Sequence, residues 1–173
     1  FEQIVGGTGG GAVALSGRGT PVIRRCRFNR VSAASGAAAR LSVQGELRVE
    51  DCVFSENVAT ETGGAVYTGS HAGYRVVFVN CAVLGNRARR GGGLAAGGGG
   101  LVALEQCTFS DNRAGERGGA LWCGGSDAEL RQCIFWADSA PLGGELSVEG
   151  LVWPPTPAWI RISRTCLQGG AEG

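Results

Sequence analysis

Cysteine is the residue type most able to do chemistry in this chain, and its placing is periodic. Five of the seven recur as Cys26, Cys52, Cys81, Cys107 and Cys133, at steps of 26, 29, 26 and 26 residues. Thiolates bind zinc when paired as C-x-x-C or set beside histidine. No C-x-x-C pair occurs, and the one histidine, His71, lies in a Gly-Ser-His-Ala-Gly stretch with no Ser–His–Asp arrangement around it. No metal centre and no cofactor is expected. Thiols at a fixed period point instead to one inward slot on successive turns of a repeat, where cysteine packs as a small hydrophobe. Neighbouring Cα atoms would stand about 5 Å apart, but parallel Cβ vectors suit the disulfide dihedral poorly, so free buried thiols are expected. Cys123 should face inward from a different strand, and Cys166 falls one residue out of register with Thr165.

Catalysis on a polysaccharide would need acids gathered on one outer face, either paired or with calcium and a basic residue. The 15 acidic residues are scattered. Glu50-Asp51 reads as a solvated turn. Glu145 and Glu149, four apart, are expected on one outer face of a strand, with no matching acid at Ala120 and Gly124 one coil earlier. Arginine supplies all 16 basic residues. Arg87 and Arg113 follow equivalent corners and should stack on one edge, with Arg89, Arg90 and Arg117 in the loops beyond. Such a strip is either a solvated charge row, partly neutralised by Glu116, or a contact for carboxylated or sulfated glycans through bidentate guanidinium bonds. Tyr67 and Trp122 occupy equivalent outward slots two coils apart, with Ala95 between them, and could stack on sugar rings or a partner. Trp153 and Trp159 bracket a Pro-rich interruption. Residues 150–160 are expected to form a lateral loop, either a cap or a docking surface.

The elements that would position these residues follow from the same period. A glycine pair keeps step with the cysteines, at Gly63-Gly64, Gly92-Gly93, Gly118-Gly119 and Gly143-Gly144. After it comes a short alternating run in which Val66, Leu94, Leu121 and Leu146 face in and Glu145 faces out. A Gly/Ser/Asp turn leads to a second strand, whose residue three before each Cys is apolar: Ile23, Val49, Phe78, Leu104, Leu130. A third segment carries Phe28, Phe54, Val83, Phe109 and Phe135. Three residues later stand Asn57, Asn86, Asn112 and Asp138, with Val31 breaking the pattern. Asn and Asp tolerate left-handed backbone and suit a tight corner, and stacked Asn side chains could form a ladder. Three strands and three corners in roughly 26 residues describe an all-β parallel β-helix solenoid of about six coils. The glycine frequency, 32 of 173, argues against helices, each interior glycine costing about 1 kcal/mol.

Gly63-Gly64-Ala65-Val66 and Gly118-Gly119-Ala120-Leu121, with Phe54-Ser55-Glu56-Asn57 and Phe109-Ser110-Asp111-Asn112, resemble the GGA-[ILV] and F-x-x-N signatures of the polymorphic outer-membrane protein repeat. The last coils are similar to right-handed β-helix repeats of large bacterial surface and secreted proteins. The resemblance covers nearly the whole chain and implies a right-handed parallel β-helix, commonly extracellular, within the pectate-lyase-like architecture. Gly36-Ala37-Ala38-Ala39 in place of Gly-Gly-Ala, Val83 for Phe and Asp138 for Asn depart from it.

Residues 1–173 read as one domain, a segment of a longer protein. With a net charge of +1, bulk charge gives no reason to expect a nucleic-acid partner, and no run of apolar residues is long enough to insert in a membrane. Sparse threonine disfavours an ice-binding face. The expected function is a non-enzymatic surface or extracellular segment used in adhesion or as a rigid scaffold. Its partners would be proteins or adjoining coils at uncapped ends, with acidic polysaccharide as a further ligand. A polysaccharide-binding or polysaccharide-cleaving module and a structural subunit of a large assembly are the alternatives.

Overall fold

The computed structural model describes residues 10–69, 73–150 and 158–168. Every strand in them pairs in parallel with the equivalent strand of the next coil. The first sheet stacks Val13–Arg18, Ala39–Gln44, Val66–Gly69, Leu94–Gly97, Leu121–Gly124 and Leu146–Glu149. The second stacks Val22–Arg24, Glu46–Glu50, Arg75–Val79, Leu101–Glu105, Asp127–Arg131 and Ile160–Ser163. The third stacks Arg27–Asn29, Val53–Ser55, Ala82–Leu84, Thr108–Ser110, Ile134–Trp136 and Cys166–Leu167.

A fourth sheet was not expected. It stacks Ser32–Ser35, Val58–Thr62, Arg87–Arg90 and Arg113–Arg117, so a coil has four strands rather than three. These segments are rich in Arg, Ser, Thr and Glu and carry a register shift in mid-strand, which hides the period-2 signal from the sequence. Arg89, Arg90 and Arg117 therefore lie on strands, not in loops. In the fifth coil Pro141 lacks the N–H a strand needs, and only two isolated bridges, Arg113 to Ser139 and Arg117 to Leu142, replace this strand.

The core is a set of columns running through the coils. Phe28 and Phe54 stack at 5.0 Å between ring centroids, Phe109 and Phe135 at 4.9 Å, and Val83 separates the two pairs. Full burial of each such ring stabilises by about 2–3 kcal/mol. All seven cysteines are free. Cys52, Cys81, Cys107, Cys123 and Cys133 are buried, and Cys26 is half-buried at the first coil. Within the column each of the four buried thiols donates to carbonyls of its own coil and the previous one, as Cys133 Sγ does to Arg131 O and Leu104 O at 3.3 Å each, while Cys26 donates to Arg24 O. Hydrogen bonding to neighbouring thiols, then burial, hold Cys52 and Cys107 above the ordinary thiol range. Burial pushes Cys123, outside the column, up to about 12. Thr165 fills the column slot in the last coil, its hydroxyl accepting from Cys133 N at 3.3 Å. Cys166 is exposed, as its offset predicts.

The Asn ladder is present and fully buried. Asn57 Nδ2 donates to Asn86 Oδ1 at 2.9 Å, Asn86 Nδ2 to Asn112 Oδ1 at 2.9 Å, and Asn112 Nδ2 to Asp138 Oδ1 at 2.7 Å. Each Nδ2 also donates to a carbonyl of the preceding coil, Phe28 O, Phe54 O and Val83 O in turn. The left-handed residue is not the Asn but the one before it: Glu56, Gly85, Asp111 and Ala137, at φ 54° to 63°. The Asn side chain is used for inter-coil bonding instead of for its backbone preference. The glycine pairing shifts as well. Strand register aligns Gly91-Gly92 with Gly63-Gly64, and Gly91, not Gly93, carries the positive φ of 61°.

Candidate functional site

The fourth sheet brings Arg87 and Arg113 into register one coil apart, both exposed. Neither makes an ion pair among the described residues. With Glu56, Val58, Gly85 and Asp111 they line a shallow cleft of about 420 Å³. Their neighbours on the same strands are neutralised. Glu116 accepts from Arg89 Nε at 2.6 Å and from Arg90 Nε at 2.8 Å, and these bonds, Arg89 first, hold its carboxyl below the usual range. Arg117 pairs with Glu149. The strip seen in the sequence thus divides into an unpaired pair, Arg87–Arg113, and a consumed set.

The outward aromatics are also engaged within the chain. Tyr67 and Trp122 flank Ala95 as expected, and Ala95 beneath them is fully buried. Arg40 Cζ lies 5.5 Å from the Tyr67 ring centroid, and Arg90 Cζ 5.5 Å from that of Trp122. Trp122 Nε1 donates to Glu149 Oε2 at 3.3 Å. These rings cover the outer face instead of standing free for a sugar. Trp159 is exposed, with Arg161 Cζ 5.4 Å from its centroid. Trp153 and His71 lie outside the described residues. Trp136, half exposed on the outer face of the third sheet beside exposed Ile134, was missed. Its signal was available: the residue after each inward Phe must face out.

Glu145 overturns the expected outer pair with Glu149. It is 8% exposed and sits in the enclosed slot held by Ala65 and Ala120 in earlier coils. Alternation applies only to extended strand, which here begins at Leu146. The bend at Gly143, with φ 61°, leaves Glu145 facing inward before the strand starts, and Glu145 O accepts from both Ala120 N and Leu121 N. Both Glu145 carboxyl oxygens and Asp138 Oδ2 are buried without a hydrogen-bond partner. Burial, then the neighbouring Asp138 carboxyl, pushes Glu145 up to about 8, and burial likewise raises Asp138. The pair borders a cleft of about 460 Å³ lined also by Asp111, Arg113, Ser139 and Gln168. A carboxyl that stays protonated near neutral pH can serve as a general acid. These oxygens are sealed from solvent, so their arrangement is that of a buried acid pair, not of groups offered to a substrate. No group of three or more His, Cys, Asp or Glu suited to a metal ion occurs among the described residues.

No curated protein and no solved structure matches the chain. The family described as "Right handed beta helix region" matches residues 3–135. That span takes in the glycine corners, the cysteine column and the Asn ladder down to Phe135, and it gives the coil its hand. The chain belongs to the right-handed β-helix family.

Proposed function

We propose that this domain is a non-enzymatic β-helix segment of a surface or extracellular protein. It acts in adhesion by presenting a stiff edge to an acidic polysaccharide or an anionic protein surface. The observation that carries this reading is the Arg87–Arg113 pair. Two like charges held one coil apart, exposed and without an ion pair among the described residues, oppose folding slightly and favour an anionic contact. Elsewhere arginines such as Arg24, Arg48, Arg89 and Arg90 are matched by glutamate. Continuous sheets and side-chain columns supply the stiffness that an adhesive edge needs. The GGA-[ILV] and F-x-x-N motifs support membership of the polymorphic outer-membrane repeat group, and with it a cell-surface location.

The test is retention on immobilised polygalacturonate and on a sulfated glycan, scoring chain cleavage in the same samples. We expect salt-sensitive retention without cleavage, reduced several-fold in Arg87→Gln/Arg113→Gln. Cleavage by the purified domain, or retention unchanged in the double variant, would refute the reading.

A further inference from the structure

The cleft around Arg87 and Arg113 also holds two carboxylates, with a gap between them. Its wall includes Glu56, Gly85 and Asp111. These three are one left-handed corner repeated on successive coils, since Leu84 stands in register with Ser55 on one side and Ser110 on the other. Arg30, Glu56, Asp111 and Ala137 hold the same corner at φ 54° to 58°, so its backbone does not demand glycine. What Gly85 does is leave room: a Cβ added there would meet nothing nearer than Glu56 Cγ at 4.0 Å. The corner column therefore has a notch one side chain wide, with a carboxylate one rung away on either flank, about 4.8 Å in strand spacing. Glu56 already takes Arg30 Nε at 2.8 Å. Asp111 accepts from the Ser110 hydroxyl at 2.8 Å and forms no ion pair among the described residues, so its charge on the cleft wall is uncompensated.

Both signs of charge thus line one cleft, in separate columns. Arg87 and Arg113 follow the corner by two residues, a span of at most about 7 Å, so adjacent sugars of one chain can reach both columns. Val58 is the one apolar side chain in the lining, whereas a protein interface buries an apolar core. Resting on the reading of this edge as a contact for anionic glycans, we infer that its ligand is zwitterionic: an acidic polysaccharide that also carries free amino groups. The ammonium seats over Gly85, between Asp111 and Glu56. The neighbouring carboxylate or sulfate takes the Arg87 and Arg113 guanidiniums. A purely anionic chain meets the same guanidiniums but must pass two carboxylates that repel it.

The test compares two heparin derivatives with the same carboxylates and O-sulfates: one de-N-sulfated, and so bearing free amines, the other de-N-sulfated and then N-acetylated. Binding of the domain to each is measured at about pH 6, where the amine is protonated. We expect the amine form to bind about fivefold more tightly, the weight of one exposed ion pair. Asp111→Asn removes the free carboxylate, and Gly85→Asn fills the notch with a residue suited to left-handed backbone. Each should bring the two forms to within about twofold of one another while anionic glycan still binds. Equal binding of both forms by the wild type, with retention still lost in Arg87→Gln/Arg113→Gln, overturns this inference and leaves the anionic edge standing. Failure of the folded domain to retain either form overturns both. A preference for the amine form that survives Asp111→Asn and Gly85→Asn, in variants with wild-type circular dichroism, overturns the assignment to this cleft. Tighter binding of an alternating Lys-Glu polypeptide than of the amine glycan gives the cleft to a protein partner and overturns it too.

Discussion

Replacing Asp138 by Asn should stabilise the domain, and the gain should grow with pH. In the ladder each Asn Nδ2 donates to a carbonyl of the preceding coil, Val83 O in the case of Asn112. By the same spacing, the partner for position 138 is Phe109 O. Aspartate puts an oxygen there instead, and Oδ2 is buried without a hydrogen-bond partner. An orphaned buried acceptor costs about 1–3 kcal/mol, and a net hydrogen bond returns about 1 kcal/mol. We expect Asp138→Asn to gain about 2 kcal/mol at pH 8, or roughly 4–8 °C in melting temperature for a domain of this size. Glu145 supplies the pH dependence. Burial pushes its carboxyl up to about 8 in the folded chain, against 4.5 for a solvated glutamate. The folded chain thus holds this proton more tightly than the unfolded one. Its contribution is full below about pH 4.5 and is lost as pH rises to about 8. Glu145→Ala restores the residue found in the same slot at Ala65 and Ala120, and should flatten that decline by about 2 kcal/mol. The assay is thermal melting by circular dichroism at pH 5, 7 and 9 for wild type, both single variants and the double variant. An Asp138→Asn variant less stable than wild type at pH 8, or a wild type whose melting temperature is flat from pH 5 to 9, would refute the reasoning.

Three further outcomes follow from the columns. Asn86→Ala removes the side-chain acceptor of Asn57 N and Nδ2 and strands Phe54 O. It should cost about 3 kcal/mol or more, read by denaturant titration, whereas Asn29→Ala, at a half-buried outer position, should cost under 1 kcal/mol. In a native thiol assay Cys166 should react fast and Cys26 slowly, with the other five appearing only after denaturation. Cys81→Thr should melt above Cys81→Ala, because Thr165 already fills this slot in the last coil.

The period, the inward columns and the Asn ladder were legible in the sequence because each rests on one residue type recurring at a fixed step. The fourth sheet was not, since its strands are polar and bulged. Glu145 was misplaced because a rule for extended strand was carried across a corner where the chain bends. Of the expected surface, Arg87 and Arg113 stand free, while Arg117, Tyr67 and Trp122 are occupied by Glu149, Arg40 and Arg90. Such pairings join residues 27 to 32 positions apart, and side-chain reach across coils decides them.

The Asn ladder also has a direction. Each Nδ2 returns one N–H to a carbonyl of the preceding coil, but its other N–H goes to the next rung on the C-terminal side, and each Oδ1 accepts from the N-terminal side. The bonding of the column is therefore polar, its inter-amide donors all facing the later coil. Asp138 puts an oxygen where an Nδ2 donor would stand, and so interrupts that polarity before the coil that carries Cys166.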